Sequence, residues 1–495
     1  MVDFTREEVE AAIEEYAFTL IEEEEDEFLD DEEEIVETEV KEESDESPKT
    51  NESEVELEKE ETPGDVFEGK DLSGLDLSGI KFLGISLKQT NLKSTDLSNC
   101  ILSNSNMDQT NLDEANLSSA EMENVNCLEA TAINANFDST NLQSAKFLGS
   151  NLTGANLESA NLRKSVFLEA NLSKCNLNEA DLSNSDFSRT NMSHASAIES
   201  NLSRARFNGA NLESVDFTDS RLSMAIFFEA NFKNANLNRV QIKGAKLAGG
   251  IFENTELLRA DITGADLTDA KFHNSNLSRA KLNGAILRRT DLKGSDLSEA
   301  DLSLADLTGA SLVDVKLIGA NLERIKLNQA KLSGAHLSGA KINKGKLTQV
   351  DLSKADLSGA NMTGADLTES NLAGCDLSRA NLTEAILQRA NMKNTFLIGA
   401  NLQKAELDEV NLENSNIAGA KLRKINCQKA NMKNVDLQRS DLEHADFTQA
   451  DLSEASLTGS KLGEACFKNA NLTGADLSLS DRTDSDFSGA KGYNS

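Results

Sequence analysis

A chain of 495 residues with 84 Asp+Glu against 49 Lys+Arg carries a formal charge of −35, yet it has no Trp, two Pro and only 4% aromatic residues. So narrow a composition at this length points to internal repetition and away from several mixed globular domains. The charge is also unevenly held: residues 1–65 contain 30 Asp+Glu and 4 Lys+Arg, so the larger part is near balance and whole-chain pI says little about it.

Residues 1–29 read as an acidic amphipathic helix. Thr5 and Glu8 form a capping box, Phe4 is placed to staple onto Val9, and Val9, Ile13, Tyr16 and Leu20 recur at helical spacing. Acid runs at Glu22–Glu25 and Asp31–Glu34 set like charges on neighbouring turns, so the far end of this helix is expected to fray. Residues 30–65 have too few apolar side chains to bury and read as a disordered acidic linker. No segment approaches the about 20 apolar residues of a membrane span. The acidic start lacks the basic and apolar regions of a secretory signal, so a cytoplasmic protein without membrane attachment is expected.

From Phe67 to Phe487 a large apolar residue occupies every fifth position without a break in phase, and only Cys127, Ala132, Ala197, Cys427 and Arg482 depart from Leu, Phe, Met or Ile. Two residues before each centre stands a small one. Asn or Asp most often precedes the centre directly, and the two residues after it are polar or Gly. This beat matches neither the helical nor the strand period. It predicts a short extended piece followed by a turn, with two side chains of every five pointing inward.

Runs such as Ala155-Asn156-Leu157-Glu158-Ser159 and Ala365-Asp366-Leu367-Thr368-Glu369 resemble the pentapeptide-repeat family, and the resemblance holds across residues 66–490 without an inserted loop. It implies an all-β fold, a right-handed quadrilateral parallel β-helix with four repeats per coil and about 21 coils, followed by a short tail over residues 491–495. The spacing supplies its own test of four per coil. Phe147, Phe167, Phe187, Phe207 and Phe227 are separated by steps of 20, as are Phe232, Phe252 and Phe272, and Phe447, Phe467 and Phe487. Residues at that interval should stack on one wall, where each aromatic pair adds about 0.5–1.5 kcal/mol beyond area burial. Leu75, Ile80 and Ile85 replace the small residue in the first coils and are expected to plug an open end, whereas Arg482 at a core place predicts a loosened last coil.

Candidate chemistry is sparse. Gly64 to Lys70 matches the start of a phosphate loop, but Asp71 replaces the Ser or Thr that would hold magnesium, and the repeat phase leaves no room for the helix that such a loop needs. His194 and His273 fall on one face several coils apart, and His336 and His444 fall on others, so they assemble no zinc set. Six Cys occur without a CxxC pair; Cys100, Cys127, Cys175, Cys375 and Cys427 take core places and only Cys466 should point outward. The expectation is therefore no enzyme, no metal and no cofactor.

Counting by twenties sorts the outward residues into four faces. Their charges sum to −9 on the face of Leu77, Leu97 and Phe217, and to +3 on the face of Phe82, Leu102 and Leu422. Leu128, Leu148 and Leu168 take the same outward place in successive coils, with Val166 beside them and Ile226 and Phe228 further on, which makes a candidate apolar stripe for a protein partner or for the chain's own N-terminal helix. Lys404, Lys421, Arg423 and Lys424 form a candidate basic patch, but no aromatic is interleaved, so nucleic acid is an unfavoured partner.

The resemblance implies a non-enzymatic scaffold rod that presents flat faces to a protein partner. Some relatives are instead DNA mimics that modulate a type II topoisomerase; here 45 Lys+Arg offset 54 Asp+Glu after residue 65, which weighs against that alternative. Strand edges at the coil ends also predict homo-oligomers by end-to-end or face contact, and long uninterrupted repeats of this kind resemble bacterial ones.

Overall fold

The computed structural model describes residues 2–17 and 65–493, which fall into two compact units, Met1–Val166 and Phe167–Ser495. The expected fraying of the helix beyond residue 17 and nearly all of the 30–65 linker lie outside the described residues. Within each unit the same five-residue motif recurs. The residue before each centre pairs in parallel with the residue twenty further on, as in Asp71↔Asn91, Asp76↔Asp96, Lys81↔Ile101 and Ser86↔Asn106 in the first unit and Asn171↔Asn191 onward in the second. Four such pieces separate bridged partners, so each coil has four sides.

The backbone accounts for its polar groups by this pairing. Leu72 N–H donates to the Asn91 carbonyl at 2.8 Å and Asn91 N–H donates to the Lys70 carbonyl at 2.8 Å, a reciprocal pattern that repeats from coil to coil. At most corners the small residue closes a turn onto the centre three positions back, as Ala115 N–H does to the Leu112 carbonyl at 3.0 Å.

The third residue of that turn has positive φ: 60° at Glu114, 61° at Lys174 and 70° at Gly154. A type II turn requires this, and β-branched residues tolerate it worst. Accordingly Val, Ile and Thr never occupy this place between residues 69 and 489, although Thr is frequent one residue earlier.

The Asn or Asp before each centre has two tasks. Asp71 Oδ1 accepts the Ser73 N–H at 3.1 Å, which tightens the turn, and also accepts Asn91 Nδ2 of the next coil at 2.9 Å. The ladder continues with Asn111 onto Asn91, and in the second unit with Asn191 onto Asn171 and Asn211 onto Asn191. Short side chains that hydrogen-bond their own backbone favour turns over regular structure, which explains the preference for this pair of residue types.

Inside, centres and small residues fill the tube. Phe167, Phe187, Phe207 and Phe227 stack at 5.0, 5.1 and 4.9 Å with planes within 9° of parallel, and Phe232, Phe252 and Phe272 stack at 4.6 and 4.4 Å. Phe167 and Phe187 therefore share a wall, as a period of twenty demands. Buried hydroxyls are satisfied: Thr90 Oγ1 donates to the Phe67 carbonyl at 2.7 Å and Thr95 Oγ1 to the Leu72 carbonyl at 2.9 Å, so Ser and Thr can stand in for Ala. Where Cys replaces a large centre, a larger residue fills the neighbouring small place, as in Val125 beside Cys127 and Ile425 beside Cys427, all of them buried.

The helix α1 spans residues 6–17. Its capping box forms, with Thr5 N–H donating to Glu8 Oε2 at 2.6 Å and Glu8 N–H to Thr5 Oγ1 at 3.3 Å. Phe4 packs edge-on against Phe67 at 5.6 Å, so it anchors α1 to the first coil.

At the other extreme the backbone register persists past Arg482, with Leu462 N–H bonded to the Asp481 carbonyl at 2.7 Å and Asn471 bridged to Lys491. The expected loosening is thus confined to side chains. Arg482 is exposed, since a guanidinium gains nothing from the apolar interior. Tyr493 stacks on Phe487 at 3.9 Å.

Candidate interaction surfaces

The first coil is the most elaborated surface. A coil without a predecessor has unpaired backbone groups, an edge that invites association unless covered. Residues 3–6 cover two of its sides. Asp3 N–H donates to the Asp71 carbonyl at 2.7 Å and Asp71 N–H donates to Asp3 Oδ2 at 2.7 Å, which imitates a missing strand. Arg6 donates to the carbonyls of Asp76 and Ser78 at 3.1 and 3.0 Å and to Asp76 Oδ1 at 3.3 Å. Val9 is fully buried, while Ile80 and Ile85 are buried and Leu75 is half-buried at the plug positions. The described part of α1 thus seats on the first coil and does not occupy the Leu148 stripe. Sequence reasoning missed this because the unpaired edge, which draws the chain to it, appears only once the coil is built.

The stripe residues divide between the units. In the first, Leu128 and Leu148 are exposed, at 38% and 37%, and Val166 is half-buried. In the second, Phe228 is 41% exposed, and Leu168 and Ile226 are half-buried. Phe396 and Ile398, flanking the Leu397 centre, are exposed as well and were not singled out by the sequence reading.

The basic patch is partly neutralised. Lys404 Nζ lies 2.9 Å from Glu384 Oε1, and Arg423 pairs with Glu443. Both partners stand twenty residues away, so counting by coils exposes the pairing. Lys421 and Lys424 are exposed beside them.

Candidate chemistry finds no assembly. His273 Nε2 is 2.7 Å from Asp291 Oδ2, and His444 Nδ1 is 3.1 Å from Glu464 Oε2. Among the described residues no group of three His, Cys, Asp or Glu could hold a metal ion, and no helix is long and apolar enough to cross a membrane. Five Cys are buried and Cys466 is half-buried. Burial pushes the Cys100 thiol up to about 11 and that of Cys375 to about 12, and it pushes Cys127 and Cys427 higher still, so none of these four is a ready nucleophile. Gly69 and Lys70 belong to the first coil, with Gly69 N–H bonded to the Lys88 carbonyl.

Comparison with known proteins follows the lattice. The model of pentapeptide repeats matches in successive stretches from residues 71–109 to 455–491, and that of a pentapeptide repeat region matches residues 170–247. Among curated proteins no relative matches. Solved structures similar to this chain include HetL, a pentapeptide repeat protein involved in heterocyst differentiation regulation from the cyanobacterium Nostoc sp. strain PCC 7120, at 31% identity over 46% of this chain and 90% of that one, with a TM-score of 0.18. A pentapeptide repeat protein from the Arabidopsis thaliana thylakoid lumen is 32% identical over 19% of this chain and 65% of its own, with a TM-score of 0.19. QnrB1, a plasmid-mediated fluoroquinolone resistance protein, is 19% identical over 41% and 88%, with a TM-score of 0.27. The repeat matches together span most of residues 71–491. The chain belongs to the pentapeptide-repeat family, and its fold is that family's right-handed, four-sided β-helix.

Proposed function

We propose that this chain is a non-enzymatic scaffold that binds a protein partner on the flat sides of its coils. The observation that supports this most is Leu128 and Leu148, exposed at 38% and 37% in consecutive coils where the repeat otherwise places polar residues. Apolar side chains aligned outward lose water contact when a partner covers them, and each contributes about 1.5–3 kcal/mol if fully buried. Phe228, with Ile226 and Leu168, offers a second apolar contact in the other unit. Affinity capture with the full chain tests the reading: a partner retained by the native chain should be lost by Leu128→Glu/Leu148→Glu. Retention of an identical set by both would sink it.

The DNA-mimic alternative needs a continuous negative face. Many outward carboxylates are instead matched by cations one coil away, as Asp219 is by Arg239 at 2.6 Å, Asp269 by Arg289 at 2.6 Å and Glu299 by Arg279 at 2.9 Å. This pairing favours the scaffold. Inhibition of gyrase supercoiling at micromolar protein would reverse that preference.

A further inference from the structure

One corner of the second unit breaks the alternation of charge. Lys326 bridges Lys346 in parallel, so two lysines stack directly, and Asn321 bridges Lys341 just before the same corner. Arg324 and Lys344 hold the positive-φ places of that corner on the same two coils, with φ of 55° and 56°. All five cationic side chains are exposed, and Asn321 is half-buried. Adjacent coils sit about 4.8 Å apart, at which like charges repel, so the arrangement is costly unless an anion offsets it.

The surrounding carboxylates do not neutralise it. Asp306 lies 3.8 Å from Lys326 but is engaged by Arg288 at 2.8 Å, Asp301 accepts from Asn321 Nδ2 at 2.9 Å, and Asp366, bridged to Lys346, and Glu323, beside Arg324, adjoin the cations as well. On the coils just before it, Leu304 and Ile286 are exposed at 59% and 38%, so an apolar ledge adjoins the cations.

We propose that this corner docks an acidic segment of a second copy of the chain, residues 22–61. That segment holds 23 Asp+Glu against 3 Lys and includes Glu32-Glu33-Glu34-Ile35-Val36-Glu37, an apolar pair between acids that matches cations beside an apolar ledge. A peptide fits better than a duplex, because Ile35 and Val36 can meet the exposed Leu304 while the flanking acids meet the cations, and a phosphate backbone offers no such apolar side chain. The site uses none of the stripe residues and stands independently of the scaffold reading.

The test is carbodiimide cross-linking of an equimolar mixture of ordinary and nitrogen-15-labelled full-length protein, mapped by mass spectrometry. Mixed-isotope links from residues 22–61 should concentrate on Lys341, Lys344 and Lys346. They should fall at least about tenfold in Lys341→Glu/Lys344→Glu/Lys346→Glu, and equally in 1 M salt, where the screening length is about 3 Å. The substituted side chains are solvent-facing, and melting of the variant checks that it folds. Links confined to single chains, or spread evenly over exposed lysines such as Lys233 and Lys461, would overturn the proposal. So would protection of the three lysines from acetylation by a short DNA duplex or phosphatidylserine vesicles but not by a synthetic peptide of residues 22–61.

Discussion

The first coil and the last described coil are written in the same five-residue code, yet they differ in how completely they are buried. In the first, Phe67, Leu72, Leu77 and Phe82 are fully buried, with Phe4 and Val9 of the N-terminal segment packed in. In the last, Leu477 and Phe487 are half-buried and Arg482 is exposed, although the hydrogen bonds back to the preceding coil are intact. The code fixes register by itself, whereas the stabilisation that each centre contributes depends on what lies over it. This is the behaviour of a one-dimensional array in which each coil relies on its neighbours.

The largest break in that comparison should come from the aromatic ladder. Phe207→Ala, between Phe187 and Phe227, should lower stability by about 3–5 kcal/mol, while Phe487→Ala should cost under half as much, read from denaturant unfolding of the full chain. Equal losses would mean that burial does not grade along the coils. Next in size is the cap. Val9→Asp places a charge in an apolar contact and should release α1 at a cost of about 2–3 kcal/mol. The first coil would then resemble the last, with faster hydrogen exchange at the Asp71 amide that Asp3 now protects. Unchanged protection there would show that α1 contributes nothing.

A smaller effect sharpens the role of the corners, which both coils share. Glu199 has φ of 59°. Glu199→Gly should stabilise by about 0.5–1 kcal/mol, and Glu199→Val should destabilise by about 1–2 kcal/mol, as measured by thermal melting.

The smallest concerns pH. Burial raises the pKa of Asp306, but hydrogen bonds from Thr308 and Arg288 and the guanidinium charge outweigh it, so the group stays below the ordinary carboxylate range. A depressed folded pKa gives stability that is present at neutral pH and lost as pH falls through that value. Asp306→Asn should therefore narrow the gap in melting temperature between pH 7 and about pH 3; an unaltered gap would remove Asp306 from the acid limb.

Much of this was legible from counting. The step of twenty between Phe167 and Phe187 predicts one shared wall, and the rings stack at 5.0 Å. The outward Cys466 and the inward five follow from the same count. The pairing of Lys404 with Glu384 and of Arg423 with Glu443 was equally readable at that interval, as was the Lys326–Lys346 stack, but a patch defined by sequence neighbours alone hides both. The positive-φ corner left a negative signal, the absence of Val, Ile and Thr from one place in five. The seat of α1 left almost none, because it depends on backbone groups that become unpaired only where a coil has no predecessor.

The separation of walls from centres bears on how such a gene tolerates changes of length. Removing twenty residues shortens the stack and returns every later side chain to its original face. Removing five between Leu128 and Leu148 keeps every centre inward but turns all that follows through a quarter revolution, so Leu148 would leave the column of Leu128. Surface patterns in this architecture can thus be rewritten wholesale by a single in-frame slip, without any substitution.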